Sequence, residues 1–312
     1  MSTFSAEPTD AGPIKRDWSI ARDIRYRAEY AGLRLIVGII RLMPLEMAAD
    51  VSAFFWRLIA PRLRRHRRAL ENLAIAYPER TPEEREAIAV AMWGNLGRIM
   101  AETMQIDRIL AEPDRIEIVS PSFFRYKDKL GPIVGASLHM GNWELAIWPL
   151  TFAGATPAAV YRTVNNPYVD RYLRHMRRDL YPGGLFGKGS WEDRMRAARG
   201  MMQYVGNGGR LGIVCDLHDL QGMPIPFFGL PAKTSPAPAM IARRTGARVW
   251  MARCTRVGTS SRFKIELKEL KIPRTKDQGA DIRNAMGDMQ KQFEAWIREV
   301  PEQWMWSNRR WS

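Results

Sequence analysis

The chain has 312 residues, 46% of them hydrophobic, with 48 Lys+Arg against 33 Asp+Glu for a net charge of +15. It is long enough to bury one large core, and no Gly/Ser or Pro linker forces a split. The basic excess selects polyanionic partners (nucleic acid, anionic lipid, a phosphorylated glycolipid or an acidic carrier protein), and the 11 Trp and 17 Met beside it tilt the choice toward a membrane interface. With Cys215 and Cys254 as the only cysteines, a disulfide framework is excluded and a reducing compartment is expected.

In chain order, residues 1–16 read as a disordered lead that lacks the charged start, apolar middle and cleavage site of a signal peptide. Residues 17–68 read as a helical, membrane-associating extension. Ala31 to Trp56 is rich in apolar residues, but Arg34, Arg41, Pro44, Glu46 and Asp50 break it short of the ~20 clean positions of a spanning helix. Arg62-Leu63-Arg64-Arg65-His66-Arg67-Arg68 follows with five arginines in seven residues. That pattern suits a helix or helical hairpin lying in a leaflet, its arginines on anionic headgroups; the alternative is a helical cap with solvated arginines. Nucleic acid is disfavoured, because there is no zinc-finger spacing, no aromatic RNA-recognition strand and no heptad-backed basic helix.

Residues 69–312 read as one catalytic domain. Pro82 to Met104 is helical, with Thr81 as cap and Pro82 at the first position. Short strands are expected over Arg115 to Val119, Ile133 to Leu138 and Ala158 to Tyr161, with a helix Glu144 to Leu150 between the last two. Helices Pro167 to Leu180 and Trp191 to Val205 come next. A strand Leu211 to Cys215 then delivers Asp216, a helix covers Pro238 to Thr245, strands run over Arg248 to Arg256 and Phe263 to Leu267, and a helix over Ile282 to Val300 closes the chain. The βαβ rhythm predicts an α/β fold, a mostly parallel or mixed sheet flanked by helices.

The stretch His139-Met140-Gly141-Asn142-Trp143-Glu144 behind the apolar run is the strongest catalytic address. Five residues along one helix turn about 500°, so His139 and Glu144 would point apart; the stretch must instead be a strand-to-helix junction with Gly141 in the turn and Asn142 as cap. Glu144 in the first turn is then expected to reach back and orient the His139 imidazole as a base. Arg162, after a neighbouring strand, is a candidate oxyanion or phosphate contact. Arg171, Arg174, Arg177 and Arg178 lie three or four apart on the following helix, and could grip an anionic headgroup or an acidic carrier. Asp216 and His218 could orient the acceptor, and Phe227 and Phe228 offer an apolar wall for an acyl chain. A metal site built on Cys215, Asp216 or His218 with His139 fits no established zinc spacing. Gly183 to Ser190 lacks the Ser/Thr after Lys188 that a P-loop needs, and His139 stands where a nucleophile elbow needs glycine.

On these residues the chain resembles the late acyltransferases of bacterial lipid A biosynthesis, within the glycerolipid acyltransferases marked by His-x4-Asp/Glu. The likeness rests on His139 to Glu144, on Glu71-Asn72-Leu73 with Tyr77-Pro78-Glu79, on Tyr161-Arg162 with Asn165-Asn166-Pro167 and Asp170, on Asp216 and the run Pro226 to Thr234, and on Pro301-Glu302-Gln303-Trp304-Met305-Trp306. It spans about Arg68 to Trp311. Leu217-His218, Trp304 and Asn308 depart from the pattern, which leaves the acceptor more open than the reaction. The resemblance implies acyl transfer from acyl carrier protein or coenzyme A to a hydroxyl of a lipid A precursor, at the cytoplasmic face of the inner membrane. It also implies His139 as general base without a covalent acyl-enzyme, and no cofactor or metal. Asn142, Asn165, Asn166 and Lys233 join the arginines, Asp216, His218 and the Phe pair as substrate-binding candidates. Transfer to a lysophospholipid or a phosphatidylinositol-type glycolipid is the alternative acceptor. A metal-dependent hydrolase and a non-catalytic basic membrane-binding protein are the alternatives from other classes.

Overall fold

The structure, a computed structural model, describes residues 18–125, 129–188 and 191–311; the expected disordered lead lies outside them. Four helices open the chain: α1 (Ile20–Leu42), α2 (Leu45–Ile59), α3 (Arg64–Ala76) and α4 (Pro82–Thr103). Ser19 caps α1 through the Arg22 N–H, and Pro44 separates α1 from α2. Thr81 and Glu84 exchange hydrogen bonds in a capping box with Pro82 at the first position, so α4 starts where the sequence says it must. α2 lies directly on α4. A Cβ on Gly97 would sit 2.6 Å from the Ser52 carbonyl oxygen, and the Ser52 hydroxyl donates to the Gly97 carbonyl at 2.7 Å. The N-terminal helices are therefore packed onto the body, with none among the described residues long and apolar enough to cross a membrane.

The remaining elements alternate. They are α5 (Ile106–Leu110), β1 (Ile116–Val119), α6 (Pro121–Phe124), β2 (Ile133–Ser137), a 3-10 turn Trp143–Ile147 leading into α7 (Trp148–Phe152), β3 (Ala158–Arg162), α8 (Pro167–Met176), β4 (Leu185–Lys188), α9 (Trp191–Gly206) and β5 (Arg210–Val214). A hairpin of β6 (Met223–Phe227) and β7 (Leu230–Thr234) follows, then α10 (Ala237–Thr245), β8 (Arg248–Arg256), β9 (Phe263–Leu270) and α11 (Gln278–Glu299). Seven strands form one sheet in the order β1-β9-β8-β2-β5-β3-β4, parallel throughout except for the antiparallel pair β8–β9.

Alternation along β8 shows how the sheet is sandwiched. Val249 and Met251 enter the cluster under α3, α4, α10 and α11, while Trp250, Ala252 and Cys254 enter the one on the α5–α7 face. Both faces are covered, as a mostly parallel sheet requires. β2 sits at the centre, with β5 on one side and β8 on the other. Its carboxyl end opens where ligands bind in such sheets.

Three local expectations change. The helix expected over Glu144 to Leu150 is a 3-10 turn followed by one α-helical turn of α7. β4 was hidden in the stretch compared with a P-loop, since an edge strand of four residues containing Gly187 carries little pattern. The β6–β7 hairpin was hidden by prolines. Pro224 and Pro226 share the exposed face of β6 while Ile225 and Phe227 face the core, an arrangement a two-stranded ribbon tolerates.

Candidate active site

β2 ends at Ser137, and the backbone then leaves the sheet through Leu138 and His139. Gly141 makes the turn possible. It has φ +54, and a Cβ there would lie 1.8 Å from the Cys254 carbonyl oxygen on β8. The turn is pinned from the C-terminal tail, where the Met305 N–H donates to the His139 carbonyl at 3.0 Å and the Gly141 N–H donates to the Gln303 carbonyl at 2.8 Å.

The His139 ring meets a carboxylate, and that carboxylate is Asp216. Asp216 follows β5, the neighbour of β2, so parallel pairing brings the two strand ends side by side. His139 Nδ1 lies 2.7 Å from Asp216 Oδ1, while Asp216 Oδ2 accepts the His139 backbone N–H at 2.9 Å and the Trp304 indole N–H at 2.7 Å. Burial works to raise the Asp216 pKa, but the His139 charge and these hydrogen bonds outweigh it and hold the group below the ordinary carboxylate value. Burial likewise pushes His139 down; Asp216, by charge and hydrogen bond, and then Glu144 outweigh it and hold the imidazole above the ordinary histidine value. An ionised Asp216 fixes the proton on Nδ1 and leaves Nε2 as the basic nitrogen. The Trp143 ring packs edge-on against the imidazole, with centroids 5.1 Å apart.

Glu144, expected to orient His139, is gripped by Arg177 instead. Arg177 Nε and Nη2 donate to its two oxygens at 2.8 and 2.7 Å. Burial opposes ionisation of Glu144, and the Arg177 charge and hydrogen bonds overcome it, so the carboxylate is held charged. The reason is geometric: the 3-10 turn after Asn142 aims Glu144 at the end of α8 rather than back along the loop. Glu144 acts on His139 through its charge alone, and the hydrogen-bonded orienter is Asp216.

Asn142 does not cap through its side chain either. Its Nδ2 donates at 3.0 Å to Glu102 on α4, a fully buried carboxylate that also accepts from both Arg256 Nη atoms and from the Ser261 hydroxyl at 2.8 Å. Arg256 Nε reaches Asn95, whose amide reaches the Gly141 carbonyl at 3.4 Å. A buried ionic network thus backs the turn that carries His139.

The other sequence candidates separate. Arg162 ends β3 on the same sheet edge, with its side chain exposed. Asn165 is exposed, whereas Asn166 is buried and structural: it caps α8 and donates to the Tyr26 carbonyl and Glu29 of α1. Arg174 faces inward on Asp170 at 2.9 Å and stacks over Tyr161, while Arg171 lines a cleft beside α1. The His218 backbone N–H donates to the Arg309 carbonyl, and its ring is half-buried two residues past Asp216. Lys233 is exposed. Phe227 and Phe228, expected to wall an acyl groove, are buried in an aromatic cluster with Tyr77, Trp304, Trp306 and Trp311. They form a packed turn, with Phe228 at φ 49 and Gly229 at φ 75.

Trp304, Glu102 and Arg256 had been given no role in the site, and Arg177 had been read as a contact for an anionic headgroup or an acidic carrier rather than as the partner of Glu144. The ending Pro301 to Trp306 was singled out as a motif; its function is to reach Asp216 and to pair Met140 with Trp304. Asn72, in another of the motifs, holds the same tail by donating to the Trp306 and Asn308 carbonyls at 2.7 and 2.9 Å. Among the described residues, no group of three or more His, Cys, Asp or Glu is placed to hold a metal ion. Burial pushes the Cys254 thiol up to about 12, so it supplies no thiolate.

Compared with known protein families, residues 15–312 match the bacterial lipid A biosynthesis acyltransferases. The chain belongs to that family. It is an acyltransferase of lipid A biosynthesis, and the match takes in the N-terminal helices as well as the sheet. A search of curated proteins gave no match to this lipid A acyltransferase.

Proposed function

We propose that this acyltransferase moves a fatty acyl chain from a thioester of acyl carrier protein or coenzyme A to a hydroxyl of a lipid A precursor, with His139 as general base. The observation that carries this reading is the His139–Asp216 contact at 2.7 Å, which leaves Nε2 to take the acceptor proton. The acceptor oxygen attacks the thioester carbonyl as its proton passes to Nε2. The C–S bond breaks as the tetrahedral centre collapses, and the imidazolium returns the proton to the departing sulfur. Asp216 stabilises the imidazolium in between, and Arg162 with loop N–H groups stabilises the oxyanion. The proton's route needs no enzyme nucleophile, metal or cofactor. An apolar cleft beside His139, lined by Trp143, Ile147 and Tyr181 over Gly135 and Gly212, takes the first carbons of the chain.

The same reading puts the enzyme on the cytoplasmic face of the inner membrane. Leu35, Ile39 and Leu42 on α1 and Phe54, Phe55, Leu58 and Ile59 on α2 are large, apolar and exposed, Leu42 at 88%. Arg62, Arg64, Arg65, Arg67 and Arg68 are exposed immediately after them. Apolar side chains beside exposed arginines suit shallow insertion into an anionic leaflet.

Mass spectrometry of lipid A and phospholipids tests the reaction, in cells lacking the protein and complemented with the intact chain, His139→Ala or Asp216→Asn. The expected result is a lipid A species short of one acyl chain, restored by the intact chain alone. Restoration by His139→Ala refutes the base assignment, and a change confined to phospholipids refutes the acceptor.

A further inference from the structure

We propose that Arg310, in the tail that follows α11, is a positioning residue for acyl transfer: its guanidinium lies inside the core as the standing counter-charge of Asp216. Five arginines are buried among the described residues. Arg98, Arg174, Arg253 and Arg256 each meet a carboxylate, on Asp50, Asp170, Glu266 and Glu102 respectively. Arg310 does not, although it is 0% exposed. Its Nη1 donates to the Lys233 carbonyl at 3.2 Å, and its Nη2 to the Thr234 hydroxyl and the Gln290 side-chain carbonyl, each at 2.8 Å. The guanidinium lies over the Phe227 ring, 4.5 Å from its centre. Every acceptor is neutral, and the Nε–H, also buried, has none.

A cation buried among neutral groups costs more than an apolar side chain of the same length, so packing gives no reason for an arginine here. The titratable groups that act on it are Asp216 and Cys215 at the end of β5 and Glu294 on α11. His218 and Asp219 lie in the loop after β5, and Lys233 on β7 and Arg309 in the tail are exposed. Burial pulls the Arg310 pKa down to about 10, and Asp216 is the first charge that offsets this, ahead of Cys215 and Glu294. Arg310 is therefore still a cation at neutral pH. The influence is mutual: a cation that gains from an ionised Asp216 favours that ionised form by the same amount. The need for it follows from the reaction. His139 must be neutral to take a proton, and Asp216, 1% exposed, is then left with neutral hydrogen-bond partners only, the His139 ring and backbone N–H and the Trp304 indole. Arg310 supplies the positive charge in that state and opposes the imidazolium formed in the next.

The same side chain fixes the tail. Arg310 ties it to β7 and α11, and the residues just before it hold the two strand ends. The Arg309 carbonyl accepts the His218 N–H at 3.1 Å, the Trp304 indole donates to Asp216 at 2.7 Å, and the Met305 N–H donates to the His139 carbonyl at 3.0 Å. The guanidinium thus stands at a fixed place relative to Asp216. This role rests on the reading of His139 as a base held by Asp216.

The role is tested on the purified full chain with Arg310→Met, Arg310→Lys and, on the exposed side chain next to it, Arg309→Met. The readouts are the pH profile of acyl transfer and a ¹⁵N titration of His139. In Arg310→Met the acid limb and the His139 pKa should rise together by about 0.5 pH unit or more, since a nearby cation no longer opposes the imidazolium. Activity near neutral pH then falls about threefold and recovers by about pH 8.5. Arg310→Lys, which keeps the charge without the fork, and Arg309→Met leave the limb and the titration where they are. Should Arg310→Met melt early, Arg310→Gln, which keeps a donor for the Lys233 carbonyl, is expected to show the same shift. A limb and titration unmoved in the neutral variants overturn the proposal, as does an equal shift in Arg309→Met or a loss of activity that is the same at every pH. If His139→Ala retains activity, the base reading fails by itself, while the His139 titration still reports whether Arg310 acts on the pair.

Discussion

At the carboxyl edge of the sheet, charged groups are buried and each has a partner: Asp216 with His139 and Trp304, Glu144 with Arg177, Glu102 with Arg256 and Asn142. On α1 and α2 the arrangement is inverted, with Leu42, Leu35, Phe54 and Phe55 exposed and arginines in solvent beside them. Burying a charge costs several kcal/mol unless a partner and hydrogen bonds offset it. Charge kept inside therefore marks groups whose positions matter for chemistry. Apolar surface left outside marks a face waiting for something apolar. Under the proposed function, the first region carries the reaction and the second docks on the membrane.

The contrast can be broken most severely at its reactive end. His139→Ala is expected to lower the acyl-transfer rate of the purified enzyme by about 10²–10⁴-fold, and Asp216→Asn by a smaller factor of about 10². Glu102→Ala leaves Arg256 charged and buried without its carboxylate. Urea unfolding should show a loss of about 3–5 kcal/mol, against less than about 0.5 kcal/mol for Arg67→Ala on the exposed side. At the docking end, Phe54→Asp with Phe55→Asp should reduce co-sedimentation with anionic vesicles about tenfold or more, without changing the melting temperature by more than a few degrees. The smallest effect is on pH. His139 must be neutral to accept a proton, and its pKa is held above 6.5. Activity should therefore fall as pH drops through a value above 6.5, and the same limb should move to lower pH in Asp216→Asn.

Where side chains repeat with the period of an element, the fold was legible. The cap Thr81 with Pro82 behind it, the apolar run of β2, and β8 from Arg248 to Arg256 all lie where their patterns place them. β4 and the β6–β7 hairpin were hidden, because glycine and proline erase the alternation that marks a strand. In the site, His139 and its address at a strand end were readable from the residues, and so was the presence of Asp216 at the end of β5. Their pairing was not. It depends on β5 lying next to β2, and a sequence order that places β3 and β4 between them gives no hint of that. Glu144 was assigned to His139 because it is near in sequence, whereas its partner Arg177 is near only in space, 33 residues on. The C-terminal motif was visible as a pattern without a role until Trp304 was seen to donate to Asp216.

The most direct test of His139 as an Asp216-held base is a titration of ¹⁵N-histidine-labelled protein followed by NMR, on the intact chain and on Asp216→Asn. The expected result is a His139 ring that carries its proton on Nδ1 when neutral, titrates above 6.5, and falls to a lower pKa when Asp216 is replaced. A His139 that titrates at or below 6.5 in the intact chain, or whose pKa and tautomer are the same in both proteins, would contradict it.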